Sequence, residues 1–170
     1  MATSSSPAWT ATPATDASGV ESTCKKYGLT VDEFHELRRR CVASKATAYC
    51  PYSRFRVGAS VISVNNAYFD GANVENASYP VGTCAERVAI AKAVTEGHRK
   101  LRAVAVATDI APPASPCGMC RQFIREFCAL DGPIIMFDKD ENYTVLRLQE
   151  LLPLSFGPEA LPSASSLPPV

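Results

Sequence analysis

Three cysteines and one glutamate stand in two short segments whose spacing suits metal-assisted hydrolysis. Cys84 and Glu86 are two residues apart, and Cys117 and Cys120 form a Cys-x-x-Cys pattern after a proline. Three thiolates with one open position describe a catalytic zinc site, since structural zinc sites usually close with four protein ligands. A carboxylate two residues from a ligand can accept and return a proton there. The segments therefore predict one Zn2+ held by three thiolates, with the carboxylate of Glu86 beside it.

Each segment is predicted to open a helix. Thr83 is the predicted N-cap of a helix that lasts to Glu96 and stops at Gly97, and a second helix is predicted over residues 117–128. The two cysteines of the second segment are three residues apart, so they share one helical face. Side chains on a helix lean toward its N-terminus. We therefore expect the three thiolates to converge ahead of the two helices.

The remaining pattern predicts an α/β fold. Helices are predicted over residues 31–49 and 148–152, and strands over residues 56–64, 67–73, 101–108, 133–137 and 143–147. The first of these helices begins with a capping box, Thr30 and Glu33. This order implies a three-layer arrangement, a mixed five-stranded sheet flanked by helices. Ligands in such sheets bind at strand ends beside helix N-termini, where both segments lie.

The two ends of the chain differ in composition from the part between them. Residues 1–24 and 162–170 are rich in Ser, Thr, Ala and Pro, and they are predicted to be disordered tails because they bury too little apolar surface to fold. The folded domain is predicted to span residues 29–161.

The charge of the predicted metal site needs compensation. Zinc with three thiolates carries a net charge of −1, which opposes deprotonation of a bound water. The helix N-termini supply partial positive charge. Arg87 and Arg121 each follow a motif residue directly, and we expect them to donate hydrogen bonds that tune the metal site.

The net charge and the cysteine count indicate which partners and which cellular compartment to expect. Lys and Arg number 17 and Asp and Glu number 17, so a zero net charge gives no reason to expect a nucleic-acid or membrane partner. Residues 1–20 lack the basic and apolar regions of a secretory signal. Seven cysteines, an odd number, cannot all be paired in disulfides within one chain, and free thiols are the simpler interpretation. Because free thiols are typical of reducing compartments, a cytoplasmic location is expected.

Together with three further segments, these motifs resemble a known family. The cysteine and glutamate pattern matches the zinc-deaminase signature. The segments Cys50–Ala59, Asn73–Pro80 and Leu151–Glu159 are similar to the small, homotetrameric, zinc-dependent cytidine deaminases of the cytidine/deoxycytidylate deaminase superfamily. The resemblance covers about residues 29–161 and implies a cytidine-deaminase-like fold.

The resemblance also implies a reaction and a substrate site. Zinc-activated water would attack C4 of cytosine while Glu86 moves the protons, which converts cytidine, and 2′-deoxycytidine, to uridine or deoxyuridine plus ammonia in pyrimidine salvage. The resemblance assigns the pyrimidine contact to Phe55, the ribose hydroxyls to Asn73 and Glu75, the base edge to the backbone of Ala85, and a neighbouring subunit's site in the homotetramer to Tyr79 and Phe156.

Other interpretations remain open from the sequence. The cysteines could form a redox pair, or a structural zinc site with Cys128 or Cys50 as fourth ligand. The enzyme could act on another cytosine-containing compound, such as a polynucleotide or a nucleotide. The chain could also be a zinc-stabilised module without turnover, in which Glu86 would be dispensable.

Overall fold

A single mixed sheet forms the centre of the protein, and the structure, a computed structural model, describes residues 10–162. The strands are β1 (Thr12–Pro13), β2 (Val57–Ser63), β3 (Tyr68–Ala72), β4 (Leu101–Thr108), β5 (Pro133–Phe137) and β6 (Asn142–Arg147). The helices are α1 (Ala17–Tyr27), α2 (Val31–Ser44), α3 (Ala85–Thr95), α4 (Gly118–Phe127) and α5 (Leu148–Leu151). The strand order is β1-β6-β5-β4-β2-β3, in which β4 and β5 are parallel and the other neighbours antiparallel.

Helices cover both faces of this sheet, as predicted. Side chains alternate between faces along a strand. Val104 and Val106 of β4 pack in a core with α3, α4 and α5. Ala103 and Ala105 of the same strand pack in a second core with α1 and α2. Between residues 10 and 162, no helix is long and apolar enough to cross a membrane.

The prediction of five strands is wrong, because the sheet has six. The additional strand, β1, pairs antiparallel with the edge strand β6. It leads into α1, whose Val20 and Cys24 are buried in the second core. Residues 12–24 therefore differ from the predicted disordered tail. A two-residue strand is too short to show an alternating pattern in the sequence. Helix α1 was not predicted because its segment is rich in Ser and Thr and buries only a narrow stripe of side chains. Residues 1–9 and 163–170 of the predicted tails lie outside the described residues.

The helix termini are close to the predicted positions, with local exceptions. The capping box of Thr30 and Glu33 is confirmed. Helix α2 ends at Ser44, earlier than predicted, because the next three residues tighten into a 3-10 turn. Helix α3 is capped by Cys84 and not by Thr83, because Thr83 is held extended by two backbone hydrogen bonds with Val74.

Helix α3 lies unusually close to the sheet, and one glycine permits this. A Cβ atom at Gly71 of β3 would lie 2.4 Å from the backbone nitrogen of Ala89 and 2.6 Å from the carbonyl oxygen of Ala85. Real Cβ atoms do not approach backbone so closely, so any side chain at position 71 would push the helix away. The distance between the N-terminal part of α3 and the sheet is therefore set by backbone contact.

Candidate metal centre and substrate cavity

Three thiols converge at the N-termini of α3 and α4. Cys84 is the N-cap residue of α3, Cys117 is the N-cap residue of α4, and Cys120 lies three residues further along α4. N-cap and N3 side chains face one another, as they do in a capping box. The three sulfur atoms all lie within 4.8 Å of one another. The structure thus brings together the three residues that the sequence predicts as metal ligands.

The spacing of the sulfurs fits a zinc ion. Two sulfurs bound to one tetrahedral zinc at about 2.3 Å each lie about 3.8 Å apart. The Sγ atoms of Cys84 and Cys117 are 3.8 Å apart. Within residues 10–162, no fourth Cys, His, Asp or Glu joins the cluster, and Cys50 and Cys128 are free thiols outside it. The donor set therefore fits one zinc per chain with a coordination position left for a water.

Within the thiol cluster, the surroundings of Cys84 favour its thiolate form. The pKa of the Cys84 thiol is lowered to about 5, first by a hydrogen bond with Cys120 and, against the effect of burial, by the guanidinium of Arg87. Arg87 also donates to the carbonyl oxygen of Gly82 at 3.1 Å, which fixes its position beside the thiols. A positive charge here offsets the negative charge of the thiolates.

Arg121 does not point at the sulfurs in the way that its place in the sequence suggests. Its guanidinium donates to the carbonyl oxygen of Pro116 at 2.7 Å, to Ser115 Oγ at 2.7 Å and to the carbonyl oxygen of Leu151 at 2.8 Å. These bonds join the loop before Cys117 to α5. Arg121 therefore holds the loop before Cys117 in place, through hydrogen bonds from its guanidinium to Ser115 and Pro116.

Glu86 is buried beside the thiols. It occupies the first turn of α3, and 3% of its surface is exposed. Burial raises the pKa of the Glu86 carboxyl, and the charge of Cys84 raises it further. A carboxyl with a raised pKa can be protonated and deprotonated nearer to neutral pH than an exposed one.

A cavity of about 390 Å³ opens next to Glu86 and the thiols. This volume is in the range of small-molecule sites. Of the predicted site residues, those that line it are Phe55, Asn73, Glu75, Tyr79, Cys84, Glu86 and Cys117. Ala85 is fully buried behind it. Sequence reasoning missed Ser53, Val106 and Thr108 in the lining, although the alternation of β4 could have indicated the last two.

Asn73 and Glu75 hold the loop that forms one wall of the cavity. Asn73 Nδ2 donates to the carbonyl oxygen of Phe55 at 2.8 Å, and Asn73 Oδ1 accepts from the backbone of Val57 at 2.8 Å. The carboxylate of Glu75 accepts from the backbone of Tyr52 at 2.9 Å and from the Ser53 hydroxyl. Both side chains therefore order the wall before any ligand is bound.

Phe156 is not part of the cavity. Phe156 is 59% exposed, and its carbonyl oxygen accepts a hydrogen bond from the Gln122 side chain of α4 at 3.0 Å. Tyr79 lies at the cavity mouth and is 75% exposed. Both aromatic side chains are thus largely exposed on the surface of this chain.

Comparison with known proteins agrees with this geometry. Residues 32–135 match the family model described as the cytidine and deoxycytidylate deaminase zinc-binding region. The cytidine deaminase of Halalkalibacterium halodurans is 40% identical over 123 residues, which are 72% of this chain and 93% of that protein. The cytidine deaminase of Mycobacterium tuberculosis H37Rv is 35% identical over 76% of this chain and 94% of that protein.

Solved structures give the same result. The crystal structure of cytidine deaminase from Burkholderia pseudomallei aligns with a TM-score of 0.66 and 34% identity, covering 72% of this chain and 98% of that chain. Cytidine deaminase from Mycobacterium tuberculosis aligns with a TM-score of 0.63 and 33% identity, covering 74% and 98%. The range that the family model matches, residues 32–135, includes the thiol cluster, Glu86 and the residues that line the cavity. This chain belongs to the cytidine and deoxycytidylate deaminase family.

Proposed function

We propose that this protein is a zinc-dependent hydrolase that converts cytidine, and also 2′-deoxycytidine, to the corresponding uridine and ammonia. The observation that carries the proposal is the buried carboxyl of Glu86 beside three thiols that fit one zinc, at the bottom of a cavity large enough for a nucleoside. A zinc-stabilised module without turnover has no use for a buried carboxyl at this position, because burial of a charge is costly.

Proton transfer is the task of Glu86 in this reaction. Zinc held by Cys84, Cys117 and Cys120 would lower the pKa of a water molecule toward neutrality and so would supply the nucleophile. The Glu86 carboxylate accepts the proton of that water and delivers it to N3 of the cytosine ring as oxygen adds to C4. Glu86 then takes the proton of the hydroxyl that has been added at C4 and passes it to the amino group, so that ammonia leaves as the C4 carbonyl of uridine forms.

The charge of the cavity wall favours a nucleoside over a nucleotide. The pKa of Glu75 is lowered, first by the hydrogen bond from the Ser53 hydroxyl and then by backbone amides. Glu75 is therefore ionised at neutral pH, and its charge repels a phosphate. Asn73 retains one amide hydrogen beyond its bond to Phe55, and the Glu75 carboxylate retains acceptor capacity, so both can also bond sugar hydroxyls.

Turnover of cytidine is expected for the purified protein, followed as the change in ultraviolet absorbance when uridine forms. Cytidine 5′-monophosphate is expected to react with a kcat/KM at least about tenfold lower, because Glu75 opposes its phosphate. The matched control is the Glu75→Gln variant, in which this preference should shrink. A folded, zinc-loaded protein that leaves cytidine and 2′-deoxycytidine unchanged contradicts the proposed function.

The protein is further proposed to act as a homotetramer whose sites are shared between subunits. Tyr79, at the cavity mouth, and Phe156, hydrogen-bonded to Gln122 of α4, are exposed aromatic residues, which is typical of residues that become buried on association. Next to Arg87, α4 also presents a shallow groove with Met119 and Phe123 in its lining. This groove next to the metal centre supports the association of subunits at this surface.

Light scattering should give a mass of about 73 kDa, four times the 18.2 kDa of one chain. Phe123→Asp should dissociate the assembly and lower the specific activity, because a charge would be buried at the interface. Val31→Asp, a substitution of an exposed apolar residue on the opposite face of the sheet, should change neither. Full activity of a stable monomer contradicts shared sites.

The proposed setting is the salvage of pyrimidine nucleosides in the cytoplasm. All seven cysteines are free thiols in the structure. Free thiols persist in reducing compartments, and a thiolate zinc site needs its sulfurs reduced. The small neutral substrate also fits a chain of zero net charge.

A further inference from the structure

The floor of the cavity contains a polar group that the proposed mechanism does not use. Among the residues that line the cavity, Glu86, Val106 and Thr108 are the buried ones, with exposures of 3%, 2% and 2%. Thr108 therefore carries the only other buried polar side chain of the floor within the described part of the chain. It ends β4, directly before the loop that leads to Cys117.

The hydroxyl of Thr108 is buried without a protein partner. Its Oγ1 atom has no hydrogen-bond partner in residues 10–162. Thr108 and Val106 are two apart on β4, so their side chains share the face that lines the cavity. Most buried polar groups are hydrogen-bonded, so an unpaired hydroxyl on a residue that lines a ligand cavity needs a partner that the protein itself does not supply.

The position of this hydroxyl is fixed by its neighbours. Thr108 pairs with Val57 of β2 in the sheet. The next residue, Asp109, is held by Lys45 at 3.0 Å and by Arg56 at 2.8 Å. The backbone at the end of β4 is thus held in place by strand pairing and by two ion pairs of the following residue. Such pre-organisation favours a specific contact.

We propose that the Thr108 hydroxyl forms a hydrogen bond with the pyrimidine base in the bound nucleoside, on the cavity floor beside Glu86. This inference rests on the proposed function. Glu86 acts at the base, so the part of the ligand that reaches the buried floor is the base. The ribose side of the cavity, at Asn73 and Glu75, is only half-buried. A hydroxyl can donate to a ring carbonyl or nitrogen, or accept from an amino group.

Two substitutions at position 108 separate the hydroxyl from the shape of the side chain. Thr108→Val removes the hydroxyl and keeps the volume, and it should lower kcat/KM for cytidine about tenfold. Thr108→Ser keeps the hydroxyl and should stay within about threefold of the wild type. The thermal unfolding midpoint of the ligand-free Thr108→Val protein should be unchanged or higher, because the unpaired buried hydroxyl is gone. Thr108→Ala removes the same hydroxyl and should show at least the same loss of activity.

The matched control is Thr144→Val. Thr144 on β6 is 7% exposed, and its Oγ1 atom also lacks a hydrogen-bond partner among the described residues, but it lies outside the cavity. Its substitution should leave kcat/KM unchanged. A Thr108→Val protein with the activity of Thr144→Val overturns the proposed contact while the wild type still turns over cytidine.

A second substrate tests whether the base is the partner. The loss in Thr108→Val should be the same for 2′,3′-dideoxycytidine, which keeps the base and lacks two ribose hydroxyls. A loss that disappears with this analogue assigns the contact to the ribose and overturns the inference. A wild-type protein without turnover of any of these nucleosides removes the proposed function itself, which is a different result from equal activity of the variants.

Discussion

Glu86→Gln is expected to reduce the turnover of cytidine by about 10²- to 10⁴-fold, the range that a positioned acid or base contributes. The amide keeps the size of the side chain but cannot take a proton from water and return it to the ring and the amino group. The measurement is kcat/KM for cytidine by ultraviolet absorbance, with the zinc content of each sample determined in parallel.

The fold should not suffer from this substitution. The Glu86 carboxyl is 3% exposed, and a neutral amide is less costly to bury than a carboxylate, so the unfolding midpoint should be unchanged or higher. One zinc per chain should remain. Retention of full turnover by Glu86→Gln would mean that another group moves the protons and would remove the central step of the mechanism.

Cys117→Ser is expected to abolish both zinc binding and turnover. Its thiol is exposed at the N-cap of α4, so the replacement disturbs little packing, but it takes one of three sulfur ligands from the metal. Loss of a bound metal also lowers the apparent stability, by about 2.7 kcal/mol when the metal is present at a hundred times its dissociation constant. Zinc content, turnover and the unfolding midpoint are the three measurements.

A chelator should reproduce this result in the wild type, and added zinc should reverse it. Cys24→Ala is the matched control, because Cys24 is a buried free thiol of α1 outside the cluster. That variant should keep one zinc per chain and its activity. A Cys117→Ser protein that still holds zinc and turns over cytidine would show that the metal is bound elsewhere.

The metal centre could be predicted from the sequence because its ligands lie within short segments at two helix N-termini. Cys117 and Cys120 are set by one helical turn, and Cys84 and Glu86 by another, so only the approach of two helices remained to be observed. The strands β4 and β5 were equally clear, since each is a short apolar run between turns.

The features that the sequence did not reveal depend on contacts between distant segments. Helix α1 is held by the second core and by Tyr27, whose hydroxyl donates to the carbonyl oxygen of Val145 at 2.9 Å, 118 residues away. The bonds of Arg121 to α5 depend equally on the folded arrangement. The missing partner of the Thr108 hydroxyl is visible only once every neighbouring group has been placed.

Gly71 makes the chemistry of this protein sensitive to a residue that never meets the substrate. Helix α3 rests on the backbone of β3 at this residue, and the contacts, at Ala85 and Ala89, lie in the same first turns of the helix that carry Cys84 and Glu86. One added methyl group at position 71 would lift the helix and shift the carboxyl and the sulfur together relative to α4. A side chain at position 71 would therefore change the reaction indirectly, by displacing the helix terminus that holds both groups.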